Sequence, residues 1–374
     1  MRLRVCAGVV LSAACLVVLA ACERLGPNAV QQGMPAYNEA IARTGTELML
    51  LNFVRMRYSD SPYFLEVSNV FAAPRVSTGV TAAAGVGGLG GDSASAGASL
   101  AYSENPIIVY TPMSGEQFAK RLLEPIGLEN IGRLHRGGWN MDLIFRVFVQ
   151  RINNVWNAEA ATGPTALRTP PRYKRFNRVV AAFQALERDR LIDVAAEVGK
   201  DALSASGDVT AGEEEALEFV INPQAKQRPD VRQLLADLEL DPAAESYFIA
   251  DTPNLVPGRT LAIVTRTPLA TMFYLSKGVV IPDDHLQRGL VHVTQRRDGT
   301  SFDWLDVVGE LFVVDHAREP PADAHLAVSY RGYWFYIADD NVASKDTLVL
   351  FNMLLLLRAG EIPEAKTPIS VPIR

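Results

Sequence analysis

Residues 75–103, RVSTGVTAAAGVGGLGGDSASAGASLAYS, constrain this chain more than any other stretch. Almost nothing in them is large or charged, yet they alternate. Even positions carry Val76, Thr78, Val80, Ala82, Ala84 and Val86, then Ala94, Ala96, Ala98, Leu100 and Tyr102. Odd positions carry Ser77, Gly79, Thr81, Ala83 and Gly85, then Ser93, Ser95, Gly97, Ser99, Ala101 and Ser103. Period-two alternation marks a strand with two unlike faces, and two such runs around a Gly-rich turn (Gly87 to Asp92) mark a hairpin. A tilted strand crosses a bilayer in roughly 9–11 residues, and each run is slightly longer than that.

The pattern predicts a membrane-inserting β-hairpin. Val76, Val80, Ala82, Val86, Ala98, Leu100 and Tyr102 are expected to face lipid, and Ser77, Thr81, Ser95 and Ser99 to face a lumen. A lone hairpin would leave its edge N–H and C=O groups unsatisfied in lipid, so several copies must close one barrel. Two other readings stay open. One is an ordinary sheet element or flap, although its many alanines bury little area. The other is a disordered Gly/Ala/Ser loop, against which the parity kept through both runs argues.

The N-terminus points to the same place. Arg2 and Arg4 precede an apolar run, Val5 to Val18, and then Leu19-Ala20-Ala21-Cys22. This resembles the lipobox of bacterial lipoproteins. The resemblance implies cleavage before Cys22, diacylglycerol with palmitate-type chains on its thiol, and a further acyl chain on its amine. An ordinary secretory signal and a transmembrane helix are the alternatives, and the run is short for a span. Two or more acyl chains anchor stably, where one is marginal. Glu23, next to the cysteine, is compatible with the outer membrane. Cys6 and Cys15 leave with the signal, so the mature chain carries no disulfide.

The expected organisation is a signal peptide at 1–21, a lipidated tether at 22–36 and a periplasmic body at 37–374. The hairpin, 75–103, and a polar surface insertion, 199–230, interrupt the body. The expected fold class is an α/β or α+β body with an inserted long β-hairpin that completes an oligomeric β-barrel. Helices are predicted over Tyr37–Tyr58, from a Ser114/Gln117 capping box to Pro125, and over Glu129–Leu134, Met141–Trp156 and Arg172–Val198. Others are predicted over Val231–Leu238, Pro268–Lys277 and Ser344–Arg358. Strands are expected at Tyr63–Phe71, Ile107–Tyr110, Ser246–Ala250, Leu261–Thr265, Val279–Ile281, Leu311–Asp315, Ala327–Tyr330 and Tyr333–Ile337.

Charge and motifs exclude several functions. The net charge of −6 gives no basic balance for nucleic acid. The histidines at 135, 285, 292, 316 and 325 form no H-E-x-x-H pair, and no G-x-S-x-G elbow or P-loop ending occurs. Asp315-His316 with Glu319 reads as a strand-end turn rather than a metal site. Asp283-Asp284-His285 reads as a helix N-cap, and Asp339-Asp340-Asn341 as a solvated turn. Tyr330, Tyr333, Trp334, Phe335 and Tyr336 read as a buried strand packed on the last helix. No catalytic residue, cofactor or metal is expected.

The plan of a lipidated subunit donating strands to a shared barrel is similar in architecture to oligomeric lipoprotein pores such as the curli-secretion channel. Glu104 to Pro112 and Arg331 to Ile337 resemble segments of uncharacterised bacterial lipoproteins, which carry no activity with them. The expected function is non-enzymatic. A lipoprotein of the outer membrane, facing the periplasm and anchored in lipid through Cys22, forms a homo-oligomeric pore or export channel within a secretion or envelope complex. The rival is a monomeric periplasmic binding or scaffold lipoprotein.

Overall fold

The computed structural model describes residues 38–71, 74–85, 93–104, 107–163, 170–197, 216–251 and 256–359. The signal segment, Cys22, Val86 and the Gly-rich turn lie outside them. The fold is mixed α+β, and its described residues divide into two compact units. One holds residues 38–48 and 63–113, the other 49–62 and 114–359. Helix α1, residues 38–57, contributes to both. Among the described residues no helix is long and apolar enough to cross a membrane.

The first unit contains two antiparallel strand pairs that keep one register. Strand β1 (Leu65–Phe71) pairs with β4 (Ile107–Pro112), and β2 (Pro74–Gly85) pairs with β3 (Ser93–Glu104). One irregularity falls between Val67 and Asn69. From Asn69↔Val109 through Phe71↔Ile107 and Pro74↔Glu104 to Gly85↔Ser93, every pair keeps one offset. The pairing thus resumes in register beyond residues 72–73 and 105–106.

The second unit is built on a six-stranded mixed sheet of order β6-β5-β10-β9-β8-β7. These strands are β5 (Val149–Ile152), β6 (Val155–Trp156), β7 (Ile192–Glu197), β8 (Ala216–Ile221), β9 (Ser246–Ala250) and β10 (Thr260–Thr265). Only the β9/β10 pair is parallel. Helix α4 (Met141–Phe148) leads into β5, and α5 (Lys174–Arg188) buries Phe176, Val179, Val180, Phe183 and Leu186. That i, i+3, i+4, i+7 spacing is one stripe of a helix. Phe183 stacks edge-on against Phe145 of α4 and Phe219 of β8, with ring centroids 6.3 and 5.4 Å apart. These contacts fasten the helices to the sheet.

A smaller antiparallel sheet, β11-β13-β12, comprises β11 (Asp315–Ala317), β12 (Ala324–Tyr330) and β13 (Tyr333–Ala338). Arg331 and Gly332 join β12 to β13 with φ of 49° and 85°. Two successive positive φ values suit the right-handed twist of a two-residue hairpin. On β13, Tyr333, Phe335 and Ile337 are buried, as the aromatic run implied. Of α2 (Gly115–Phe118), α3 (Leu128–Arg136), α6 (Pro229–Asp237), α7 (Pro268–Ser276), α8 (Asp283–Gln287), α9 (Leu305–Val308) and α10 (Val342–Ala359), the last is the longest. Phe351 of α10 and Phe312 both pack on Phe53 of α1, at 6.0 and 4.9 Å.

Several expectations are corrected. The helix expected over Met141–Trp156 stops at Phe148 and becomes the β5/β6 hairpin. Asn153 turns it with φ 47°, its side chain bonded to the Leu238 carbonyl and the Ala262 N–H, which locks a turn that helical periodicity hid. The helix expected over Arg172–Val198 ends at Arg188, because Arg190 takes φ 55° and the following residues enter β7. Ser114 is an N-cap without a side-chain cap bond, and α2 widens into a π-helical turn, Ala119–Leu123. In place of the strands expected at Val279–Ile281 and Leu311–Asp315, a single parallel bridge joins Val279 to Val314. Of the expected insertion at 199–230, residues 199–215 lie outside the described residues, 216–221 form β8, paired on both edges, and 229–230 begin α6.

Candidate functional site

The register of the β2/β3 ribbon decides which residues share a face, because directly opposite residues of an antiparallel ladder lie on the same side. Val76 pairs with Tyr102, Thr78 with Leu100, Val80 with Ala98 and Ala82 with Ala96. The described residues expected on the lipid side, Val76, Val80, Ala82, Ala98, Leu100 and Tyr102, therefore share one face. Ser77 pairs with Ala101, Gly79 with Ser99, Thr81 with Gly97 and Ala83 with Ser95. That sets Ser77, Thr81, Ser95 and Ser99 together on the opposite face. A one-residue slip in either arm would have mixed the two sets. Cys22 and Val86 lie outside the described residues.

The dimensions fit the same use. Twelve residues pair in each of β2 and β3, which at ~3.3 Å each is about 40 Å of strand. Tilted by 35–45°, as outer-membrane strands are, this spans about 30 Å. Among the described residues β2 and β3 pair only with each other. An isolated two-stranded hairpin is marginal in water. At the ribbon's base, Val109 and Tyr110 are among the exposed large apolar residues.

The second unit holds a cluster of ionisable and aromatic side chains that the sequence left scattered. Tyr58, at the end of α1, lies 2.6 Å from Nδ1 of His285 on α8, and both are buried. Burial raises the Tyr58 hydroxyl above its ordinary range, so it stays neutral. Burial also lowers the His285 pKa, which Asp284 opposes. Tyr333 donates to Asp284 Oδ1 at 2.6 Å, and this bond lowers the carboxyl's pKa.

Next to it, Tyr330 and Arg331 both donate to Oδ2 of Asp60, the arginine at 2.8 Å. Asp60 is held below the usual carboxylate range, chiefly by the Tyr330 hydrogen bond. The Arg331 guanidinium lies 5.3 Å from the centre of the Tyr58 ring. His316 sits edge-on to Tyr333 at 5.6 Å rather than with Glu319. Asp284, expected as a cap residue, accepts from Tyr333, and Asn341 accepts from the Ser344 N–H at the start of α10. The aromatic run is thus both core and the frame of a hydrogen-bonded cluster. Its partners, Tyr58 and Asp60, come from the opposite end of the chain and carried no local motif.

A second buried polar centre is Arg266, fully buried after β10. Its Nη1 donates to the carbonyls of Val147 and Val149 at 2.9 and 3.0 Å, and its Nη2 to Asn157 at 2.5 Å. The guanidinium lies 3.9 Å from the centre of the Tyr274 ring. Its two terminal nitrogens are spent on backbone at the α4/β5 junction, while its buried Nε has no partner, so the contacts it makes there are structural. No protein-family model, curated protein or solved structure matches the chain.

Proposed function

We propose that the chain is a non-enzymatic outer-membrane lipoprotein, anchored through an acylated Cys22, whose subunits each donate one hairpin to an oligomeric β-barrel pore or export channel. One observation carries this reading: the in-register β2/β3 ladder, whose two arms put apolar residues on one face and small polar residues on the other. Lipid on one side and a wet lumen on the other use both faces. The outer edges of β2 and β3 then pair with neighbouring copies, which answers the hydrogen-bond demand of a bilayer.

The size of the full chain in detergent tests the assembly, and a monomer with no higher species sinks it. Cysteine labelling tests the faces in the same particles. Ala82→Cys and Ala98→Cys should report lipid, and Ser95→Cys and Ser99→Cys should report water. Equal aqueous labelling at all four positions rejects the barrel. The second reading, a monomeric binding lipoprotein, is favoured by a pocket in the body.

A further inference from the structure

The second unit contains a cleft of about 660 Å³ between the end of α1, the segment after α7 and a short hairpin around residues 294–302. Drug-sized ligands occupy clefts of roughly 300–1,000 Å³. Val279, Ile281, Phe302 and Trp304 line it and are buried. Leu286, Val293 and Leu305 form its rim and are 38, 41 and 37 % exposed. Three large apolar residues left in water at one mouth mark a surface suited to apolar contact.

Two cations reach this cleft from different elements. Arg57 donates from Nη1 to the His292 carbonyl at 3.2 Å, and its buried Nε has no partner. Lys277 places Nζ 5.5 Å from the centre of the Trp304 ring. Among the described residues no carboxylate ion-pairs with either, and the charge of Arg57 further disfavours that of Lys277. The acids on the lining, Asp283 and Asp303, are exposed, and Asp303 is engaged with the Leu305 N–H at 2.9 Å. Burial lowers Lys277 to about 8 and Arg57 to about 10. Both therefore keep their charge at pH 7, at a desolvation cost that no acid among the described residues offsets.

We propose that this cleft binds an amphiphilic organic anion, its carboxylate held between Arg57 and Lys277 and its aliphatic or aromatic body against Trp304, Phe302 and Ile281. Arg57 offers an unspent donor, Lys277 a second cation, and the apolar walls take the part of the ligand that water rejects. The charge excludes a neutral apolar ligand as the preferred occupant. The walls disfavour a bare inorganic anion. The inference stands apart from the role of the hairpin, since every group named is in the body.

Calorimetric titration of the full chain with decanoate, 1-decanol and inorganic phosphate tests it. Lys277→Gln and Arg57→Gln are measured in the same detergent. Decanoate should bind at least tenfold more tightly than either decanol or phosphate, and each substitution should weaken it about tenfold. Equal affinity for decanoate and decanol overturns the role of the charge, and equal affinity for decanoate and phosphate overturns that of the walls. Unchanged decanoate binding in both variants overturns the site. The comparison of the three probes uses the unaltered protein and stands even where a variant fails to fold.

Discussion

Tyr58 and His285, 227 positions apart in the chain, share a buried 2.6 Å hydrogen bond that ties the end of α1 to α8. The native His285 pKa lies below its ordinary 6.5, chiefly through burial. As pH falls through about 6.5 the unfolded chain takes up a proton that the native chain refuses, so acidification lowers stability. Urea unfolding should give a lower midpoint at pH 5.5 than at pH 7.5. His285→Gln should flatten that difference. Tyr58→Phe should cost about 1–2 kcal/mol at neutral pH.

Lys277 has the opposite reach along the pH axis. Its native value is about 8 against an ordinary 10.5. Between these values the native state loses its proton first, so stability rises as pH rises through 8. Arg57, Asp283 and Asp303 share its cleft. Arg57, lowered to about 10, stays mostly charged up to pH 9.5 and adds little below it. The gain from pH 7.5 to 9.5 should be about 1–2 kcal/mol by chemical unfolding, and Lys277→Met should abolish the step.

Arg266→Met removes the side-chain donor to the buried carbonyls of Val147 and Asn157, and one of two side-chain donors to that of Val149. Each orphaned acceptor costs about 1–3 kcal/mol, so a loss of about 3 kcal/mol or more is expected. Thermal unfolding measures it. Arg266→Lys should recover little, because an ammonium cannot reach several carbonyls in the plane of a guanidinium fork.

Gly278 sets the backbone that carries Lys277. A Cβ there would meet the Phe312 carbonyl oxygen at 2.0 Å. Gly278→Ala must push apart the segment bridged at Val279 and Val314. A loss of about 2 kcal/mol or more, with weakened decanoate binding, is the expected outcome in a combined unfolding and titration experiment.

The ladder itself can be checked without a membrane assay. Val80 and Ala98 are directly paired. The double variant Val80→Cys, Ala98→Cys should cross-link within one chain under mild oxidation. Val80→Cys with Ser99→Cys, which fall on opposite faces, should not.

The elements with a clear period were legible from the sequence. Strand β9 matches its expected bounds, and β10, β13 and α10 fall within a residue or two of theirs. The ribbon was legible because parity survives even where side chains are small. The junctions at Phe148 and Arg188 were not. In both, a helical stripe runs straight into residues that also suit a strand, and the switch is made by Asn153 and Arg190 in the left-handed region, held there by distant partners or a local cap. The cleft escaped notice for a related reason. Arg57, Lys277 and Trp304 are separated by long stretches, and each alone reads as a helix-end cation or a core aromatic.

The constant offset of the ribbon also limits how its gene can change. One codon gained or lost within either arm would turn every residue beyond it to the other side, exchanging the apolar and hydroxyl-bearing sets. Two codons would only shift the pairing and leave each residue on its side. Relatives of this chain should therefore differ in the length of this hairpin by even numbers of residues per arm, with odd changes confined to the connection at its tip.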